Sequence, residues 1–145
     1  MRPKLPDTIR SIIDQMGGTG LRGALVYVGA SKLTYKCPEP RGECRPDHTS
    51  RRTEGGEGLI EFGVGLSFSV NGKRGEGWKV IVAYEPDDTY TVWLWKRIRR
   101  PRYTGQVGEV IGEIRNVYCD QLKSTVEEMY DGAIKERCGG FIPLS

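Results

Sequence analysis

Residues 84–102 constrain the fold more than any other part of this 145-residue chain. The Pro86-Asp87-Asp88 turn separates two runs rich in β-branched and aromatic residues, which predicts a hairpin of antiparallel strands. Side chains alternate along a strand, so one face of the second strand holds Trp93 and Trp95. The opposite face holds Tyr90, Val92, Leu94 and Ile98. One face is expected to join a core, and the other needs a different partner.

Helices and further strands flank this hairpin. A short amphipathic helix is predicted over 8–16, with Asp7 as its cap, and a long one from 117 to about 137, with Asn116 as its cap. The other predicted strands are 24–28, 32–35, 59–70, 78–84 and 106–114. This order predicts an α+β fold in a single domain, 1–145. It would hold an antiparallel sheet of about five or six strands, with the long C-terminal helix packed on one face.

The segment 37–58 interrupts these elements. It is rich in Pro, Gly, Glu and Arg and has almost no apolar residue, so we predict a mobile surface loop unless another group holds it. It carries Cys37, Cys44 and His48 at Cys-x6-Cys-x3-His spacing. A zinc site usually has four such ligands, and the fourth would have to come from the last helix. We therefore expect no metal and no cofactor. In the alternative, a zinc site, these three residues are the candidate ligands.

The charge is small overall but unevenly distributed. A formal net charge of +3 does not by itself indicate a nucleic-acid-binding protein. However, five of the 22 basic residues lie between Lys96 and Arg102. No apolar run approaches the roughly 20 residues that span a bilayer, and the N-terminus has no hydrophobic signal core. We expect a cytoplasmic protein with no membrane partner and with its four cysteines reduced.

The strand end that follows the tryptophans is the first candidate for a binding surface. Its candidate residues are Trp93, Trp95, Lys96, Arg97, Arg99, Arg100, Arg102 and Tyr103. Cations neutralise phosphates and aromatic faces stack on bases, so this mixture suits nucleic acid. Trp, Tyr and Arg are also the usual anchors of protein interfaces. In the alternative interpretation, the tryptophans are core residues and the arginines keep a strand end soluble.

Catalytic motifs are the third kind of candidate. His48 is the only histidine and lies in the 37–58 segment, with no nucleophile placed by an elbow motif. Asp87 and Asp88 fit ordinary turn chemistry. The glycines at 63 and 65 lie within a predicted strand and lack the strand-to-helix context of a phosphate loop. We therefore expect a protein that is not an enzyme.

Three segments resemble a family of small proteins encoded by bacteriophages, prophages and related mobile elements. They are Gln15-Met16-Gly17-Gly18 leading into Val26-Tyr27-Val28-Gly29-Ala30, then Pro86-Asp87-Asp88-Thr89-Tyr90-Thr91-Val92, then Val117-Tyr118-Cys119-Asp120-Gln121-Leu122. The resemblance covers most of the chain outside 37–58, which looks like an insertion. It implies a viral or mobile-element origin and the cytoplasm of an infected cell, without implying a particular reaction.

The sequence therefore leads to one hypothesis and one alternative. The hypothesis is a non-enzymatic phage or mobile-element accessory protein, of inhibitor or adaptor type, that binds a host or viral macromolecule through the basic-aromatic hairpin. The alternative is a nucleic-acid-binding module that contacts phosphates and bases with the same surface. Salt separates the two, because phosphate contacts weaken steeply with ionic strength and an aromatic protein interface does so much less.

Overall fold

The computed structural model describes residues 5–38, 45–52, 60–72, 77–98 and 107–136. Five antiparallel strands form its central sheet, in the spatial order β1 (Ser31–Lys36), β4 (Val64–Asn71), β5 (Gly77–Tyr84), β6 (Tyr90–Ile98) and β7 (Val107–Val117). β2 (Arg51–Arg52) and β3 (Ile60–Glu61) form a separate two-stranded sheet. The helices are α1 (Asp7–Gln15), α2 (Ala24–Tyr27) and α3 (Leu122–Glu136). The predicted α+β fold is confirmed.

One face of the central sheet, the helix face, packs against α1 and α3. Apolar residues at helical spacing supply the helix side of this core, namely Ile9, Ile12, Ile13 and Met16 from the first helix and its cap, and Leu122 and Val126 from the last. Alternate residues of the central strands supply the other side, among them Leu66, Phe68, Val80, Val82, Val92 and Leu94. The long C-terminal helix therefore packs on one face of the sheet, as predicted.

The opposite face, the back face, buries both tryptophans of β6. Trp93 is 0% exposed and packs with Ile81 and Ala83, while Trp95 is 7% exposed. The expectation that an open sheet face displays these two indoles is wrong, and the alternative that they are core residues is confirmed. Two structural features cause this burial. β6 is an inner strand between β5 and β7, and β3 with Phe62 lies over the back face.

Two local elements differ from the sequence prediction. Residues 24–28 were expected to form a strand, but α2 is a single helical turn that follows Gly23 and buries Ala24 and Leu25 together. The long helix was expected from 117 with Asn116 as its cap, but α3 begins at Leu122 and Asn116 lies within β7. Asn116 has φ +58° there, where two residues lie opposite Thr91 in a β-bulge. Asparagine tolerates this left-handed conformation, which explains why it occupies that position.

Cysteine chemistry also differs from the expectation. Cys37 is disulfide-bonded to a cysteine outside the described residues, whereas Cys119 is free and exposed. The expectation of four reduced cysteines rested on cellular compartment, which the geometry of the fold does not encode. In the part of the chain that the structure describes, no helix is long and apolar enough to cross a membrane.

Candidate nucleic-acid interface

One end of the central sheet, here named the basic end, carries Lys96 and Arg97, two of the cations that the sequence singled out. Here Ile98 at the end of β6 pairs with Val107 at the start of β7. Lys96 is partly buried, with Trp78 of β5 on one side and Glu109 of β7 on the other. Arg97 lies opposite Gly108 in the strand register. The predicted residues Arg99, Arg100, Arg102 and Tyr103 lie outside the described residues.

The strand register adds one cation that sequence reasoning missed. Lys79 of β5 pairs with Trp95 of β6, two positions from Arg97, and is partly exposed. It lies on the back face, the face that also carries Trp95, because directly paired residues share a face. Its position in a predicted strand was visible in the sequence. Its neighbours were not, because only the β5–β6 register brings them together.

The opposite end of the sheet is acidic. The turn between β5 and β6 holds Glu85, Asp87 and Asp88, and the Asp87 carboxylate accepts hydrogen bonds from the backbone N–H and the hydroxyl of Thr89, at 3.2 and 2.6 Å. Burial, followed by a 2.6 Å hydrogen bond to Asp88, raises the pKa of Tyr84 to about 12. The central sheet therefore separates positive from negative charge along its strands.

Behind the acidic turn, a hydrogen-bond network on the back face includes the buried residues Glu85, Ser50 and Trp93. Glu85 is 5% exposed, and its carboxylate accepts from the backbone N–H of Ser50 at 3.0 and 3.3 Å. Arg115 donates to Glu85 at 3.4 Å, to the Ser50 carbonyl at 3.0 Å and to Glu113 at 3.0 Å. The indole N–H of Trp93 donates to the Ser50 hydroxyl at 3.4 Å, and the guanidinium lies 5.1 Å from the ring centroid.

This network holds part of the segment that was predicted to be a mobile loop. Ser50 is 1% exposed and is hydrogen-bonded to Glu85 of the turn, Trp93 of β6 and Arg115 of β7. The sequence carried no signal for Ser50, which lies 43 positions from its partner Trp93. Of the predicted loop 37–58, residues 39–44 and 53–58 lie outside the described part.

Two cavities flank the acidic turn. One, of about 440 Å³, lies between α1 and the turn and is lined by polar groups that include Asp7, Gln15, Tyr84 and Asp88. The other, of about 220 Å³, is lined by residues that include Thr49, Thr91, Arg115 and Asn116. Within the described residues, the buried oxygens Gln15 Oε1 and Thr91 Oγ1 have no hydrogen-bond partner. Both cavities suit water molecules, which would satisfy these oxygens.

The candidate zinc ligands are not brought together among the residues described. His48 has Nδ1 2.6 Å from an oxygen of Asp47 and Nε2 3.9 Å from an oxygen of Glu61. The sulfur of Cys37 is used in a disulfide, and Cys44 lies outside the described residues. In the described ranges, no group of three or more His, Cys, Asp or Glu side chains has the arrangement of a metal site.

Comparisons with protein-family models, with curated proteins and with solved structures give no match for this chain. The resemblance to small phage-encoded proteins, and the origin drawn from it, therefore stay predictions. The candidate site is defined by its geometry alone, as a basic end on a sheet whose tryptophans are buried.

Proposed function

We propose that this protein binds nucleic acid, without catalysing a reaction, and that it contacts phosphates through the basic end. The burial of Trp93 and Trp95 is the observation that carries this proposal, because it leaves cations as the principal feature of the candidate surface. Lys or Arg occupies five of the seven positions in 96–102, and the β5–β6 register adds Lys79 beside them. Phosphate binding needs cations on a surface, and this sequence supplies them.

The main competing proposal is a protein partner. Protein interfaces take most of their binding free energy from a few buried anchors, with Trp, Tyr and Arg preferred. The two tryptophans that sequence reasoning assigned to this role are already buried inside the fold. The acidic turn at the other end of the sheet also favours a polyanion, because charge separation orients the molecule with its basic end towards phosphates.

The resemblance to phage-encoded proteins extends the proposal to a setting. A phage or mobile-element accessory protein would meet viral or host nucleic acid in the cytoplasm of the infected cell. This part rests on the resemblance alone and is independent of the binding experiment.

The test is fluorescence anisotropy of the purified protein with labelled single-stranded DNA, duplex DNA and RNA across a salt series. Each phosphate neutralised on duplex DNA contributes about 0.9 to the slope of log K against log salt. Contacts from the five cations of 96–102, without Lys79, predict a loss of about 500-fold in affinity between about 50 and 200 mM salt. The Arg97/Arg99/Arg100→Ala variant keeps two of those contacts, and its affinity should fall only about 12-fold over the same range.

A matched variant controls for total charge. Arg10, Arg22 and Arg52 are exposed and lie outside the basic end, so replacing all three by alanine removes the same charge elsewhere. We expect this variant to keep most of the salt slope. Equal losses in both triple variants would reduce the proposal to non-specific attraction. An absence of binding at low salt would reject it and favour a protein partner.

A further inference from the structure

Two strands end the central sheet, and they differ in how they could pair with a second copy of the chain. Within the described residues, β1 and β7 are the outermost strands of this sheet. The outer edge of such a strand presents backbone N–H and C=O groups without a strand partner. β1 carries two lysines and no acidic residue, so pairing with its own copy would bring like charges together. β7 carries charges of both signs and lacks this protection.

The exposed segment Glu113-Ile114-Arg115 lies at the outer edge of β7. Glu113 is opposite Trp93 in the strand register and therefore lies on the back face, where its carboxylate accepts from Arg115 at 3.0 Å. Ile114 is opposite buried Val92, on the helix face, yet it is 40% exposed. The edge therefore presents an acid and a base on one face and an apolar side chain between them on the other.

We propose that two copies of this chain associate through the outer edges of β7, as an antiparallel strand pair with a two-fold axis at Ile114. In this register Glu113 of each copy lies opposite Arg115 of the other, so the charge pattern is complementary to itself. A two-fold axis perpendicular to the sheet keeps the helix face of both copies on the same side. The two Ile114 side chains therefore meet on that side, and the four charged groups meet on the back face. This inference is independent of the proposed function.

The side chains of this segment have the capacity for the additional contacts. Directly opposite residues of an antiparallel pair have Cβ atoms about 4.5 to 5.5 Å apart, so the Glu113 carboxylate of one copy can reach the guanidinium of the other. Arg115 has five N–H donors, and its hydrogen bonds to Glu113, Glu85 and Ser50 use three of them. On the helix face, contact between the two Ile114 side chains removes exposed apolar surface from water.

Sedimentation velocity of the full chain over a wide concentration series tests for this dimer. The register of β7 against β6 shifts on each side of the segment, so the new ladder is short and the dimer should dissociate on dilution. Glu113→Lys places like charges opposite each other twice. A cross-strand ion pair contributes up to about a five-fold gain in affinity, and losing two should raise the Kd of the dimer roughly 25-fold before repulsion adds to the effect.

Glu109→Lys is the matched control for that substitution. It makes the same change of charge on the same strand, and Glu109 is also exposed but lies outside the segment 112–116 that would pair. Its Kd should stay close to that of the parent protein. Far-ultraviolet circular dichroism of both variants checks that the fold is kept.

A cysteine at the proposed axis tests the register directly. Ile114→Cys in a Cys119→Ser background removes the free exposed thiol and places two new thiols opposite each other. Opposite residues of an antiparallel pair have Cα atoms about 4.5 to 5.5 Å apart, which suits a disulfide. Mild oxidation should therefore give a covalent dimer on a non-reducing gel. Leu33→Cys in the same background is the control, because Leu33 is 43% exposed on the other edge strand, β1.

The outcomes decide between this edge and the alternatives. A dimer that Glu113→Lys weakens, Glu109→Lys does not, and Ile114→Cys links covalently would support the inference. A monomer at every concentration would overturn it. A dimer that tolerates Glu113→Lys, or that Leu33→Cys links and Ile114→Cys does not, would also overturn it, because the copies would then meet elsewhere. All these measurements use the protein without nucleic acid, so none of them bears on the proposed function.

Discussion

Replacing Glu85 by alanine should lower the free energy of unfolding by about 2 to 3 kcal/mol. The Glu85 side chain is almost wholly buried and accepts two contacts from the backbone N–H of Ser50, which is itself buried. Hydrogen bonds to charged groups contribute about 1.5 to 3 kcal/mol, and a buried N–H left without an acceptor costs about 1 to 3 kcal/mol. These two ranges describe the same loss and are not added.

The contribution of Arg115 to this loss is smaller. Its side chain is about one-third exposed, and its contact with Glu85 is 3.4 Å long. An ion pair with one exposed partner contributes up to about 1 kcal/mol. Glu85→Gln keeps an oxygen that can accept from Ser50 and removes the charge. It should therefore recover roughly half of the lost stability, which assigns most of the effect to the Ser50 N–H.

Glu113→Ala is the control, because Glu113 pairs with the same guanidinium at 3.0 Å but is more than a third exposed. It should cost less than about 1 kcal/mol. Urea unfolding followed by far-ultraviolet circular dichroism gives the free energy and the slope m for each variant. Equal costs for Glu85→Ala and Glu113→Ala would refute the argument that burial of the Ser50 contact stabilises the back face.

Three further predictions concern other parts of the chain. Gly132→Ala, at an open position within α3, should raise the free energy of unfolding by about 1 kcal/mol. Gly65→Ala should lower it by at least about 2 kcal/mol, because the added Cβ would collide with a carbonyl oxygen of β5. Urea midpoints that reverse this order would contradict both predictions. Because the pKa of Tyr84 is raised to about 12, the neutral phenol stabilises the folded state fully below pH 10, and this contribution is lost as the pH rises from 10 to 12. Unfolding free energies of Tyr84→Phe measured over that range should therefore fall less steeply than those of the parent protein, and parallel curves would argue against a buried phenol. Alkylation without a reductant should label Cys119 and leave Cys37 unmodified, as measured by mass spectrometry of peptides, and labelling of Cys37 would exclude the disulfide.

Sequence reasoning was most successful where the determining interactions are local. The turn at 86–88 connects two paired strands, as its residue types predicted. The apolar stripe that includes Leu122 and Val126 identified the face of α3 that packs on the sheet. Sequence reasoning failed for residues 24–28. This apolar run is too short to show a period and was assigned to a strand, although it forms a helical turn.

The candidate site was predicted only in part. The cluster from Lys96 onward was visible as composition, and Lys96 and Arg97 lie in the last three residues of β6. Lys79 was missed because a register between two strands is needed to place it beside Trp95. Ser50 was missed because a serine in a polar segment resembles any other loop residue until its partners are known.

Local sequence by itself determined the hairpin, the two amphipathic helices and the alternation that places Trp93 and Trp95 on one face. Turn chemistry and side-chain periodicity act within a few residues, so they can be read without knowledge of the rest of the chain. Only the tertiary structure decided that this face is covered. The burial of Trp93 depends on Ser50, 43 positions away, and on β3, and such contacts form only when the whole chain has folded.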